Sequence, residues 1–217
     1  DNFKLALTDP DKYDVHRLNA ARIFGKPYDD IPKEDYLDGK HTLRYVGKRC
    51  VHGLNYRMAP DKLASVTGLS ISEATHAHRL YHSAFPEIGR AWQDLVSRVK
   101  RDKILYNAFG RRWILLSRLD SDEALDSIVA FEPQSTIGDK VCKVIYQAHE
   151  DAEWPRSRRG LEAAITLNIH DALIAVCRLE DMSGVARILH KYATQPIIVR
   201  NKELSIPADI SLSQADE

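Results

Sequence analysis

An α+β protein, helical in its first half and built from antiparallel strands in its second, is what this sequence predicts. Three observations carry the prediction. Up to residue 102 apolar residues recur at helical spacing between turn signals, whereas from residue 103 short apolar and aromatic runs are broken by Gly110 and by His170-Asp171. The composition, 44% hydrophobic and 29% charged, is that of a globular chain, and 217 residues suffice for one large domain or two small ones.

Taken in order, Asp14 precedes Val15, Leu18, Ala21, Ile23 and Phe24, a helical stripe that Gly25-Lys26-Pro27 ends. The Pro- and Asp-rich stretch 27–39 reads as a loop. A helix over 41–56 follows, then a short one opening at Ala59-Pro60-Asp61, where proline suits a first turn. Ser70 stands three residues before Glu73, the spacing of a capping box, and opens a helix running to Phe85. Pro86 opens another, with Ile88, Ala91, Trp92, Leu95, Val96 and Val99 on one face. Segment 104–116 reads as two short strands around a turn. A helix over 121–150 is expected to break near Pro133, which lacks the helical donor. Residues 164–177 form a hairpin around His170-Asp171-Ala172. A closing helix over 181–192 and two edge strands at 196–199 and 204–206 complete the chain, giving an antiparallel sheet with helices on it.

The formal net charge is zero, 31 basic against 31 acidic residues, which argues against a dedicated nucleic-acid binder. Charge is nevertheless uneven: Arg90, Arg98, Lys100, Arg101, Lys103, Arg111 and Arg112 face only Asp94 and Asp102 between residues 89 and 112, a local basic surface. Cys50, Cys142 and Cys177 lie far apart without CxxC spacing, which disfavours a zinc site or a disulfide framework and fits a reducing cytoplasm. His78 and His82 lack the companions of a metal motif. No apolar run approaches the ~20 residues of a membrane span, and no signal or transit peptide opens the chain.

On a helix, Arg44, Lys48 and His52 form one stripe, with Tyr56 at its end. Two cations and an imidazole on one face suit a triphosphate, because arginine offers a planar fork and lysine a compact charge. A solvated basic face is the bland alternative. Asp171 at a hairpin tip is either a turn residue or a carboxylate presented by rigid strands, as two-metal phosphoryl transfer requires.

The order Arg44, Lys48, Gly53, Tyr56 resembles the nucleotide-binding helix of family A DNA polymerases. Phe109-Gly110-Arg111-Arg112, Pro133-Gln134-Ser135 and Leu167-Asn168-Ile169-His170-Asp171 follow in that family's order, so the likeness spans nearly the whole chain. It implies fingers over residues 1–102, with the nucleotide helix 41–56, and the C-terminal part of a palm over 103–217, with the catalytic hairpin 164–177. The implied reaction is nucleotidyl transfer from a dNTP to a primer 3′ end by a two-metal, Mg²⁺-dependent mechanism.

The roles implied are specific. Arg44 and Lys48 hold the phosphates, and Lys48 protonates the pyrophosphate. His16, in Asp14-Val15-His16, either touches the triphosphate or sits on the surface as a helix-cap residue. His52 takes the place of an aromatic that packs on the nucleotide sugar, and Tyr56 stacks at the template base. Arg57, where glycine is usual, narrows the template path or meets a phosphate. Asp171 is catalytic and binds metal. Gln134, Asn168 and His170 lie near the primer terminus and the minor groove, and Arg111 and Arg112 either touch DNA phosphates or form an exposed basic turn.

Ala172 stands where the family has Glu, Asn168 where Gln is usual, and the motif carrying the other catalytic Asp is not in these residues. The resemblance therefore implies a phage-like C-terminal polymerase fragment in a cytoplasm, that of an infected host if phage-encoded. It would act with primer-template DNA, dNTP and an N-terminal fragment carrying the second Asp and the thumb, and without a membrane. The alternative is a non-catalytic, polymerase-derived DNA-binding or assembly protein, with Ala172, Arg57 and His52 as marks of decay.

Overall fold

The computed structural model describes residues 12–116, 121–157 and 160–213. The fold is α+β and divides into two compact units. The first comprises the chain up to Asp102 with the start of a later helix as far as Val129; the second comprises Lys103–Leu116 and the chain from Ala130 onward.

In the first unit, α1 (Val15–Phe24) begins because the Asp14 carboxylate accepts the His16 and Arg17 amide N–H groups at 2.7 and 3.2 Å. It ends at Gly25, whose φ of 62° is left-handed. The stretch expected to be loop holds a 3-10 turn (Tyr28–Asp30) and a small hairpin, β1 (Tyr36–Leu37) with β2 (Lys40–His41). Strands of two residues are too short for alternation to betray them. Buried Arg17 binds this stretch to α1, donating from Nε to the Ile31 carbonyl at 2.7 Å and from Nη2 to that of Tyr28 at 3.0 Å. Helices α2 (Leu43–Leu54), α3 (Pro60–Thr67), α4 (Ile71–Ala84) and α5 (Pro86–Asp102) follow. Thr42 caps α2, and both halves of the Ser70–Glu73 capping box are present.

Their core is Ile23, Val46, Cys50, Leu54, Leu63, Ala74, Ala77, Tyr81 and Phe85. Burial pushes the Cys50 thiol up to about 12, so it packs as a small apolar group. At the centre of the α1–α2 contact a Cβ on Gly47 would lie 2.8 Å from Ala20 Cβ and 2.9 Å from Ala20 Cα. Helix α2 stops two residues earlier than expected. The amide N–H groups of Tyr56 and Met58 both return to the Gly53 carbonyl, and Arg57 takes a left-handed φ of 64°. On α5 Leu95 and Val99 are buried, while Ala91, expected on the same face, is exposed.

The second unit carries β3 (Ile104–Tyr106) with β4 (Arg112–Ile114) and the greater part of α6 (Asp122–Glu150). It continues with β5 (Arg156–Ser157) and β6 (Gly160–Leu161), then β7 (Ala163–Ile169) and β8 (Ala172–Cys177). A 3-10 turn (Leu179–Asp181), α7 (Met182–Ala193), β9 (Ile197–Val199) and β10 (Lys202–Leu204) follow. Among the described residues these strands pair as separate two-stranded hairpins rather than as one sheet.

Contrary to the expected break, α6 runs straight through Pro133. Proline there costs about 3 kcal/mol, but the turns flanking it are buried, at Ile128 and Val129 on one side and at Thr136 and Lys140 on the other. The last strand begins earlier than expected because Arg200 and Asn201, at φ 49° and 62°, make a two-residue hairpin turn. A bidentate pair from Arg200 to Glu132, 3.0 and 2.6 Å, ties that turn to α6.

Ala148, Trp154, Ala163, Val185 and Ile188 form the core against which the β7–β8 hairpin lies. Beside it Asp151 accepts from Lys191 Nζ at 2.9 Å, the Glu153 amide at 2.9 Å and the Tyr192 hydroxyl at 2.7 Å. These bonds, the Lys191 one first, hold its carboxyl far below the usual carboxylate range. Among the described residues no helix is long and apolar enough to cross a membrane.

Two outcomes are expected. Gly47→Ala gains about 1 kcal/mol of helix propensity but incurs about 1–3 kcal/mol of overpacking, so denaturant unfolding shows a net loss of up to about 2 kcal/mol. Ala20→Gly does not rescue it, because the Ala20 Cα clash remains. Asp151 has a depressed pKa, so its stabilisation is full above the unfolded value of about 3.9 and is lost as pH falls towards the folded one. Asp151→Asn therefore lowers Tm at pH 7 and flattens its fall below pH 4; an unchanged acid limb contradicts the assignment.

Candidate functional site

The close approach at Gly47 and Ala20 lays α1 along α2, and this brings residues from 14, 16, 44, 48 and 52 into one cluster. The His16 and His52 rings lie 5.9 Å apart, centroid to centroid, at 41°. Arg44 Nε donates to Asp14 Oδ2 at 2.8 Å, Arg44 Nη1 pairs with Asp35 Oδ1, and Lys48 Nζ stands 3.7 Å from Asp35 Oδ2. Arg44 is largely covered, while Lys48 is more open to solvent.

The protonation states follow from this crowding. Burial alone would raise the Asp14 carboxyl, but the Arg44 hydrogen bond and the Arg17 and His16 amides bring it below its ordinary value. His16 is lowered by burial first, against the pull of Asp14 and with the help of Arg44, Lys48 and His52. His52 keeps an exposed edge, yet partial desolvation, then Lys48 and Arg49, lower it too. Both imidazoles are thus neutral near pH 7. Buried His16 Nδ1 has no hydrogen-bond partner among the described residues. The cluster sets a fork, an ammonium and two imidazoles against the carboxylates of Asp14 and Asp35, and an arriving negative charge would favour the imidazoles in their protonated form.

Past the helix end, Tyr56 sits half-buried on the turn, and burial raises its hydroxyl. That turn is pinned at Asn55, whose side-chain oxygen accepts the Tyr81 hydroxyl and whose carbonyl accepts Trp92 Nε1 at 3.1 Å. Arg57 turns to the acidic N-terminal end of α6, reaching Asp126 at 2.7 Å and Asp122 at 3.1 Å. Asp35, Tyr81, Asp122 and Asp126 are contributors that sequence reasoning missed. Each is brought in by tertiary packing, and the richness of 27–39 in Asp was the one visible signal for Asp35.

In the second unit, His170 and Asp171 are the two turn residues between β7 and β8, with Ile169 opposite Ala172. His170 takes φ 57°, in the left-handed region, and Asp171 is exposed at the tip. Asn168, opposite Leu173, is exposed close behind them. Gln134 is exposed on α6, immediately after Pro133. Arg111 is engaged by Asp139, with Nε 2.9 Å from both carboxylate oxygens, whereas Arg112 is exposed on β4. The β3–β4 turn is locked onto α6: the Asn107 amide donates to Asp139 at 2.7 Å, its oxygen accepts the Phe109 and Arg111 N–H groups, and Thr136 Oγ1 accepts that of Ala108.

One face of the β7–β8 hairpin meets the core through Ile165 and Ala175, but Leu167, Ile169, Ile174 and Val176 on the other are exposed. Among the described residues no three or more His, Cys, Asp or Glu side chains are grouped to hold a metal, Asp171 included. The sequence-predicted residues therefore fall into two sets, Arg44, Lys48, His52, His16 and Tyr56 in the first unit and Asp171, His170, Asn168, Gln134, Arg111 and Arg112 in the second.

Known proteins are similar to this chain in sequence and fold. The DNA polymerase of Mycobacterium phage D29 is 28% identical over 177 residues, covering 82% of this chain and 26% of that protein. DNA polymerase I of Aquifex aeolicus (strain VF5) is 24% identical over 186 residues, covering 82% of this chain and 29% of its own length. Among solved structures, the POL domain of Pol1 from M. smegmatis, in complex with DNA primer-template and dNTP, superposes with a TM-score of 0.66 at 22% identity, a likeness of fold over 83% of this chain and 30% of that one. The chain thus spans less than a third of each of these proteins. The family model for DNA polymerase family A matches residues 3–217, essentially the whole sequence, and the chain belongs to that family.

Proposed function

We propose that this chain is the part of a template-directed DNA polymerase that receives the incoming dNTP and contributes one catalytic carboxylate. Residues 1–102 serve as fingers and 103–217 as the C-terminal part of the palm. The observation that carries this reading is the α1–α2 cluster of Arg44, Lys48, His16 and His52, found in a chain of the polymerase family.

Each residue then has work suited to its geometry. Arg44 and Lys48 bind the triphosphate oxygens, and Lys48, the more exposed of the two, delivers a proton to the departing pyrophosphate. His16, whose Nδ1 lacks a partner among the described residues, donates to a phosphate once protonated, and His52 lies against the nucleotide. Tyr56, held by the Asn55 turn, offers its ring to the template base. Asn168, His170 and Gln134 lie along the primer end of the duplex, and Arg112, with Arg111 once released from Asp139, meets DNA phosphates.

Mg²⁺ would take Asp171 as one ligand, but the described residues do not complete a two-metal site. A bound cation pair supplies charge neutralisation at the transferred phosphoryl group. The second carboxylate and the thumb come from an N-terminal fragment, and the exposed apolar face of β7–β8 is the surface such a fragment would cover. Primer-template DNA and dNTP are the other partners, and the setting is the cytoplasm. Ala172 favours the rival reading, a non-catalytic DNA-binding protein derived from a polymerase.

Primer extension by the chain mixed with its N-terminal fragment tests the proposal. Synthesis is expected in the mixture and not from the chain alone. Asp171→Ala abolishes it while duplex binding persists, and undiminished synthesis in that variant removes the catalytic role. Lys48→Ala lowers kcat by about 10²–10⁴-fold, the range of a lost general acid. Loss of DNA binding with incorporation intact favours the rival.

A further inference from the structure

We infer that Asp35 is an internal counter-anion of the triphosphate site, occupying Arg44 and Lys48 until an arriving nucleotide displaces it. The inference rests on the reading of that cluster as a triphosphate site. Asp35 pairs with Arg44 Nη1 through Oδ1 and stands 3.7 Å from Lys48 Nζ through Oδ2. A carboxylate and a phosphate use donors of the same kind in the same geometry, so the two compete for the Arg44 Nη1 and Lys48 Nζ groups.

The two acids of the cluster differ in kind. Asp14 is built in: besides Arg44 it accepts two amide N–H groups and starts α1, so expelling it would uncap a helix. Asp35 enters from the segment before β1, and its side chain is about a third exposed (36%). Its backbone is anchored independently of that side chain. The Asp35 carbonyl accepts the Thr42 N–H at 3.1 Å, and Thr42 Oγ1 donates to the neighbouring Glu34 carbonyl at 2.6 Å. His41 on β2 stacks on Tyr45 of α2 with centroids 3.9 Å apart, which fixes the hairpin to the nucleotide helix. The Asp35 carboxylate can therefore swing to solvent by side-chain rotation, leaving loop and helix in place.

Such a counter-charge does two things. It keeps the cations ordered and the site near neutral before nucleotide arrives, and it sets a threshold that a weakly charged anion meets less well than a triphosphate. A part-exposed ion pair is weak, so displacement lowers the affinity of the true ligand by a factor of about two to five.

The test uses the 217-residue chain and calorimetric titration with inorganic tripolyphosphate and with a Mg²⁺–dNTP. Asp35→Asn is expected to bind both about two to five times more tightly than the wild type, and to melt at a lower temperature without ligand because the pair is lost. Glu34→Gln removes a neighbouring charge that does not touch the cations, and its affinity stays at the wild-type value. Equal gains in Asp35→Asn and Glu34→Gln, or no gain in Asp35→Asn while Lys48→Ala loses binding, overturn the counter-anion role and leave the triphosphate site standing. Absence of binding by the wild type and every variant overturns both readings.

Discussion

The meeting of Gly47 with Ala20 is the contact on which the first unit's chemistry depends. A glycine in the middle of a helix costs about 1 kcal/mol relative to alanine, and here it lets two helix backbones approach to a distance that any Cβ would prevent. The reach of the side chains follows from that distance. Asp14 can bind Arg44, and His16 can lie beside His52, because α1 and α2 are this close. Residues some thirty positions apart in sequence are brought into one cluster by backbone proximity, and Asp35 joins them from the segment before β1.

Electrostatically the cluster shows how a chain of zero formal charge can gather cations locally. Arg44 and Lys48 are offset by Asp14 and Asp35, and the two imidazoles are kept neutral by burial and by the adjacent cations. The cluster is near neutral rather than strongly positive, and on the proposed reading its response to a triphosphate would draw on imidazole protonation as well as on the fixed charges. The β7–β8 hairpin is organised differently. One face is anchored by the Trp154 and Ala163 core while the other is bare, and Asp171 stands exposed at the tip.

Local signals were legible in the sequence wherever short-range physics decides the outcome. The Asp14 cap, the Ser70–Glu73 capping box and the His170-Asp171 turn all appear as expected, because each involves residues within a few positions of one another. The stripe of Arg44, Lys48 and His52 was likewise visible from helical spacing. What escaped is long-range or cooperative. Asp35 and Asp139 look like ordinary surface acids until packing sets them against Arg44 and Arg111. The helix through Pro133 survives on burial that no local rule registers. The β1–β2 hairpin is too short to show a period, and α2 ends at Leu54 because the chain folds back onto the Gly53 carbonyl.

Imidazole NMR tests most directly whether α1 and α2 together form a triphosphate site. Following the side-chain resonances of the nine histidines against pH, with and without saturating tripolyphosphate, resolves each ring separately. His16 and His52 should move together along one binding curve, with their pKa values raised by the bound anion, while His78 and His82 stay unchanged. Unaltered titration of His16 and His52, or shifts shared equally by all the histidines, would contradict the claim.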